Sequence, residues 1–131
     1  MNTKTASKIN WQDMTFSKIL EEMNEAGQFK ASFLVDSQGL PIASLSSTYD
    51  ADTTSAMTTL VKNVVEQAHF RINLAEAVEV NIRAEDKSHL VCRYFSLGDE
   101  TLILAVVVPH GRTYRMVTNR AIRAMKLLWA S

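Results

Sequence analysis

Cysteine is nearly absent: Cys92 is the only one in 131 residues. No intrachain disulfide can form, and a cysteine-based metal cluster is excluded with it. There are two prolines and four glycines, and neither a low-complexity linker nor an internal repeat interrupts the chain. Long apolar runs are missing. The longest, residues 102–109, is too short to span a bilayer. The first 14 residues are polar and lack the apolar run of a signal peptide. Net charge is absent as well, because 14 basic and 14 acidic residues cancel. That balance argues against a general nucleic-acid or membrane surface. Together these absences predict a cytoplasmic protein with no nucleic-acid partner and no membrane insertion.

Apolar residues make up 47% of the chain, enough for a globular domain with a core that needs neither disulfide nor metal. Residues 1–13, with Lys4, Ser7, Lys8 and Asn10, read as a flexible N-terminal tail in which only Ile9 and Trp11 could dock. Residues 14–131 read as one domain.

Within that domain Thr15 suits a helix N-cap, and Phe16, Ile19, Leu20 and Met23 follow at helical spacing, with Gly27 as the stop. Residues 31–36 and 40–46 read as a hairpin around Ser37-Gln38-Gly39, and Pro41 places its second strand at a sheet edge. Asp50 or Asp52 caps a long helix to about Leu74, with Met57, Leu60, Val61, Val64, Val65, Ala68 and Ile72 on one broad face. Val78, Val80 and Ile82 alternate with Glu79, Asn81 and Arg83 as a half-buried strand does. Asp86-Lys87-Ser88 turns into a strand over 89–96, and Gly98-Asp99 turns into one over 101–108. The last is apolar at nearly every position, as a central strand covered on both faces would be. A final helix over about 113–129 puts Tyr114, Val117, Ala121, Ile122, Met125, Leu128 and Trp129 on one side. The expected class is α/β of the α+β kind. The order is helix-strand-strand-helix-strand-strand-strand-helix, with a mainly antiparallel five-stranded sheet between helices.

Catalytic signals do not rise above the background of ordinary structure. Cys92 alternates with Leu90 and Tyr94 in a strand and reads as a buried packing thiol. His69, His89 and His110 have no paired spacing for zinc. Asp36-Ser37-Gln38-Gly39 has DxxG spacing, but no GxxxxGK[ST] loop accompanies it, and a hairpin turn accounts for it. No catalytic residue, cofactor site or metal site is expected, and the protein is not read as an enzyme. No acid follows Glu100, and Arg115, Arg123 and Lys126 form a basic flank on the last helix, read as opposite Tyr114 and Met125. Phe70 lies off the apolar face of the long helix, and Met57, Leu60 and Val64 widen that face beyond what one sheet contact needs. A second helix from another chain would satisfy both features.

The stretch Phe33-Leu34-Val35-Asp36-Ser37-Gln38-Gly39-Leu40-Pro41-Ile42-Ala43-Ser44 resembles the first hairpin of the Roadblock family, the dynein light chain Roadblock type. Asp52-Thr53-Thr54-Ser55 before the long helix is similar to the bacterial MglB-like members, and the resemblance runs over about 15–129. It implies a profilin/longin-like fold and a non-catalytic, dimeric interaction module. Such a module binds and regulates a small Ras-like GTPase, in a GTPase-activating or scaffolding role. The alternative is an adaptor subunit of a larger motor or signalling assembly. The resemblance further implies a homodimer or paralogous heterodimer in which the strand near 77–84 pairs with its copy and the long helices pack together. Met57, Leu60, Val64, Phe70, Val78, Val80 and Ile82 are the expected dimer interface. Lys62, Val65, Glu66 and His69 are the expected GTPase-facing residues.

Overall fold

The computed structural model describes residues 15–45 and 50–130; the tail over 1–13, Ser46 and the side chains of Asp52, Thr54 and Ser55 lie outside that description. The elements are α1 (Phe16–Gly27), β1 (Ala31–Asp36), β2 (Pro41–Leu45), α2 (Ala51–Ile72), β3 (Glu79–Arg83), β4 (His89–Leu97), β5 (Glu100–Val108) and α3 (Arg115–Ala130). The five strands pair antiparallel in one sheet of order β2-β1-β5-β4-β3. β5 is the middle strand, which explains its unbroken apolar run. β2 and β3 are the two edges, as Pro41 predicts for β2 and the Roadblock resemblance implies for β3.

Alternation in the strands builds two cores of unequal size. On one face Leu34, Val91, Phe95, Leu102, Leu104, Val106 and Val108 meet Ile19, Leu20 and Met23 of α1 and Ala121, Ala124 and Met125 of α3. On the other face Ala31, Phe33, Val35, Cys92, Ile103 and Ala105 meet α2, whose buried apolar residue is Val61. Two helices seal the first face, and one helix lies on the second.

Local chemistry sets the element ends. Thr15 caps α1 through its hydroxyl, which accepts from Lys18 N at 3.1 Å. The expected glycine stop is corrected: Gln28, not Gly27, takes the left-handed conformation, at φ 54°. Gly27 is still helical, and a Cβ there would sit 2.4 Å from Cζ of the buried Phe29 ring. The glycine serves close packing rather than backbone reversal. Asp50 is the cap of α2, accepting from Thr53 N at 2.7 Å, and Asn73 ends the helix at φ 56°. Asp36 closes the β1–β2 turn: its Oδ1 accepts from Gln38 N at 2.8 Å and Leu40 N at 3.0 Å, with Gly39 at φ 86°. The DxxG carboxylate is therefore engaged within its own turn.

Candidate interaction surface

The long helix carries a broad apolar arc, yet only Thr58 and Val61 of its described side chains are buried. The broad face from Met57 to Ile72 divides: Val61 meets the sheet, while Met57, Leu60 and Val64 lie outside that contact, in keeping with a face wider than one sheet contact needs. A helix crossing one face of a twisted sheet touches it along a line, so the flanks stay open. Leu60, Val64 and Ile72 are exposed, Met57 is nearly half exposed, and Phe70 is 78% exposed. Beside them run Val78, 74% exposed, and the edge strand β3 that follows it, with Ile82 51% exposed and Val80 half-buried. Six of the seven residues expected at a dimer interface are thus solvent-exposed in the single chain. They lie on α2 and on or beside β3, on the side of the sheet that α2 covers.

The polar side of β3 is anchored. Tyr114 Oη donates to Glu79 Oε2 at 2.6 Å, and Glu79 Oε1 faces Arg93 at 3.6 Å and Arg115 at 3.7 Å. The Glu79 carboxylate, an acceptor of the phenolic proton, raises the Tyr114 pKa. Arg93 continues inward to Thr118 Oγ1 at 2.9 Å and to Asn119. Asn81 lies between Tyr114 Oη at 3.4 Å and His89 Nδ1 at 2.9 Å. This network ties β3 to α3 and leaves its apolar side and its backbone edge free. It also corrects the reading of the basic flank. Arg115 lies over the Tyr114 ring, 5.4 Å from its centroid, rather than on the opposite side, because Glu79 draws it there. Arg123 and Lys126 remain exposed. Trp129 is likewise exposed rather than in the core side of α3, and its indole edge lies 3.1 Å from where a Cβ on Gly98 would be.

The four residues expected to face a GTPase lie together. Lys62, Val65, Glu66 and His69 line one groove of about 540 Å³ between the C-terminal half of α2 and the sheet, shared with Val78 and Tyr94. Lys62 and Val65 are half-buried, while Glu66 and His69 are exposed. Phe70, expected on the far side of the helix from Val65, lines this groove too, edge-on to His69 with ring centroids 5.2 Å apart. His69 Nδ1 sits 2.6 Å from the Leu74 carbonyl, which holds the ring against the helix end. Sequence reasoning missed Tyr94. Its hydroxyl oxygen is buried with no hydrogen-bond partner among the described residues, and burial pushes its pKa up to about 12. Period-two alternation could have placed its ring on the α2 side but not its hydroxyl in a groove.

A second cavity, about 270 Å³, lies under the N-terminal half of α2, with Phe33, Met57, Ile82, Ala84 and Cys92 among its lining. The Cys92 thiol is buried, and desolvation raises its pKa to about 11, so it is a packing group. No cluster of three or more His, Cys, Asp or Glu able to hold a metal ion occurs among the described residues. No described helix is long and apolar enough to cross a membrane.

No protein-family model matches the chain, and no curated protein matches it. Solved structures do. MglB of Myxococcus xanthus is 17% identical at a TM-score of 0.71, over 91% of this chain and 98% of that one. An MglB with a tetrameric arrangement is 17% identical at a TM-score of 0.67, over 88% of this chain and 85% of its own. The Roadblock/LC7 domain of Streptomyces avermitilis is 14% identical at a TM-score of 0.60, over 87% and 91%. At these identities the likeness is one of fold. Nearly the whole length of each chain superposes: the protein has the Roadblock/LC7 fold, which MglB shares.

Proposed function

We propose that the protein is a dimeric interaction module that engages a small Ras-like GTPase, as its Roadblock resemblance implies, and that it acts by binding rather than by catalysis. The observation that carries this reading is the unsealed apolar surface of α2 and β3. An edge strand with free backbone groups and apolar side chains favours association unless something covers it. A second copy covers it with the same elements, because a two-fold interface uses one patch twice. Met57, Leu60, Val64, Phe70, Val78, Val80 and Ile82 then leave water. The groove of Lys62, Val65, Glu66 and His69 lies on the helix flank beside that surface. Its mixture of apolar and charged groups suits a contact that forms and breaks.

The GTPase arm of this reading is tested on the groove. Lys62→Glu and Val65→Asp should each weaken binding of a cognate GTPase at moderate salt while sedimentation still gives a dimer. Undiminished binding by both variants would move the docking site elsewhere. Co-purification with large assembly subunits and with no GTPase would favour the adaptor role.

A further inference from the structure

We infer that two copies join through β3 in one specific register, with Asn81 on the two-fold axis, and that Phe70 of each copy closes the cavity under the N-terminal half of α2 of the other. The inference rests on the dimer proposed above and goes beyond it in naming the register and the lock.

The backbone limits the choices. Tyr94 N donates to Val78 O at 3.0 Å, and Ala84 N donates to Ser88 O at 2.8 Å, so the even-numbered residues of β3 turn their amides toward β4. Hydrogen-bonding direction alternates along an antiparallel strand. The groups at the free edge therefore belong to Glu79, Asn81 and Arg83. A symmetric pairing must join these odd residues to odd residues, which requires the axis to pass through a residue and not between two.

Charge then selects among the remaining registers. The strand reads Glu79-Val80-Asn81-Ile82-Arg83. With the axis at Asn81, Glu79 opposes Arg83 of the other copy at both ends, and Val80 opposes Ile82 on the apolar side. All three edge residues then find partners within the strand. An axis at Glu79 or Arg83 puts like charges face to face, and one at Ile82 sets Glu79 against Glu85; directly opposed like charges destabilise a sheet. An axis at Val80 creates no repulsion, but it leaves Arg83 opposite Ala77 and forms no charge pair. Glu79 can accept another donor. Its two guanidinium neighbours within the chain stand at 3.6 and 3.7 Å, longer than good hydrogen bonds.

The same register fixes what meets the cavity. It sets Val78 of one copy opposite Ala84 of the other. Val78 shares its groove with Phe70, and Ala84 lines the cavity together with Met57 and Ile82. All of these lie on the α2 side of the sheet. Phe70, the most exposed aromatic ring among the described residues, is thereby brought from one chain to the mouth of an apolar cavity in the other, the arrangement in which interface anchors do most for affinity.

The test uses the full chain carrying Cys92→Ala, so that each introduced thiol is the only one. Val80→Cys, Asn81→Cys and Ile82→Cys are compared for cross-linking between copies with dibromobimane, alongside sedimentation of each variant. Asn81→Cys should cross-link fastest, because that site lies directly opposite itself, whereas the other two lie diagonally, roughly 7–8 Å apart. Fastest cross-linking at Val80→Cys or Ile82→Cys in a dimer overturns the register and leaves the dimer standing; a monomer at micromolar concentration overturns both. The lock has its own readout in a double-mutant cycle of Phe70→Ala and Met57→Ala on the dimer dissociation constant. These positions lie 13 residues apart on one helix, about 20 Å, and cannot touch within a chain. Phe70→Ala should weaken the dimer roughly 30-fold, with a clear departure from additivity in the pair. Additive effects in an intact dimer would remove Phe70 from the cavity.

Discussion

Cys92 and Tyr94 stand two residues apart on the same face of β4 and carry opposite lessons. The Cys92 thiol fills a core position, and burial raises its pKa to about 11. Thiolate is scarce at neutral pH, so the folded protein should resist alkylation at pH 8 and react readily once unfolded. Cys92→Ala should remain folded and lose on the order of 1–2 kcal/mol of stability in a urea titration, through lost burial. Tyr94 holds a hydroxyl oxygen that is buried without a partner. A polar group in that position destabilises the chain that contains it. Tyr94→Phe should raise stability of the isolated protein by about 1 kcal/mol. If the same change weakens GTPase binding, the hydroxyl finds its partner in the complex; equal affinity would make it a defect of packing alone. The sequence made the Cys92 environment legible through Leu90 and Tyr94. It left the hydroxyl of Tyr94 open, because the fate of that atom depends on Glu66 and the groove of α2, far away in sequence.

At the scale of elements, caps and turns were readable and faces were less so. Thr15, Asp50 and Gly39 do what their residue types suggest, since each acts on neighbours within four positions. Asp50 gives a pH prediction with a definite sign. Hydrogen bonds from Thr53, backbone first and hydroxyl second, hold its carboxyl below the usual 3.8 in the folded chain. A group depressed on folding contributes stability above its unfolded value, and that contribution is lost as pH falls through the lower folded value. Acid unfolding of Asp50→Asn should therefore be shallower below about pH 4 than that of the native chain, followed by helical circular dichroism. An identical acid limb in both proteins would mean the cap contributes nothing to folding. Gly27 shows the limit of local reading. A glycine near a helix end usually serves the reversal, and here the Phe29 ring, not the backbone, demands it.

For the whole molecule the decisive asymmetry is two helices on one face of the sheet and one on the other. Closing the open face with a second copy buries apolar surface in proportion to association, so unfolding should depend on protein concentration. The urea midpoint is expected to rise as the chain is concentrated from nanomolar to micromolar, and Val64→Asp should abolish that rise. A midpoint independent of concentration across the range would mean that α2 and β3 are not closed by a copy of the chain.

Pattern in the sequence fixes the elements, their order, the central place of β5 and the edge position of β2, because period-two and period-3.6 repeats and short-range caps record local physics. It also brought Lys62, Val65, Glu66 and His69 onto one flank, since positions three and four apart on a helix are neighbours whatever surrounds them. Packing settles the rest: how much of α2 is buried, that Phe70 shares a groove with Val65, that Glu79 gathers Arg93, Arg115 and Tyr114, and which amides of β3 face outward. Those facts depend on where a helix lies across a twisted sheet and on pairs of residues from different strands and helices. An apolar stripe records that a residue will be covered, and the packing of the whole chain decides whether its own sheet or another molecule covers it.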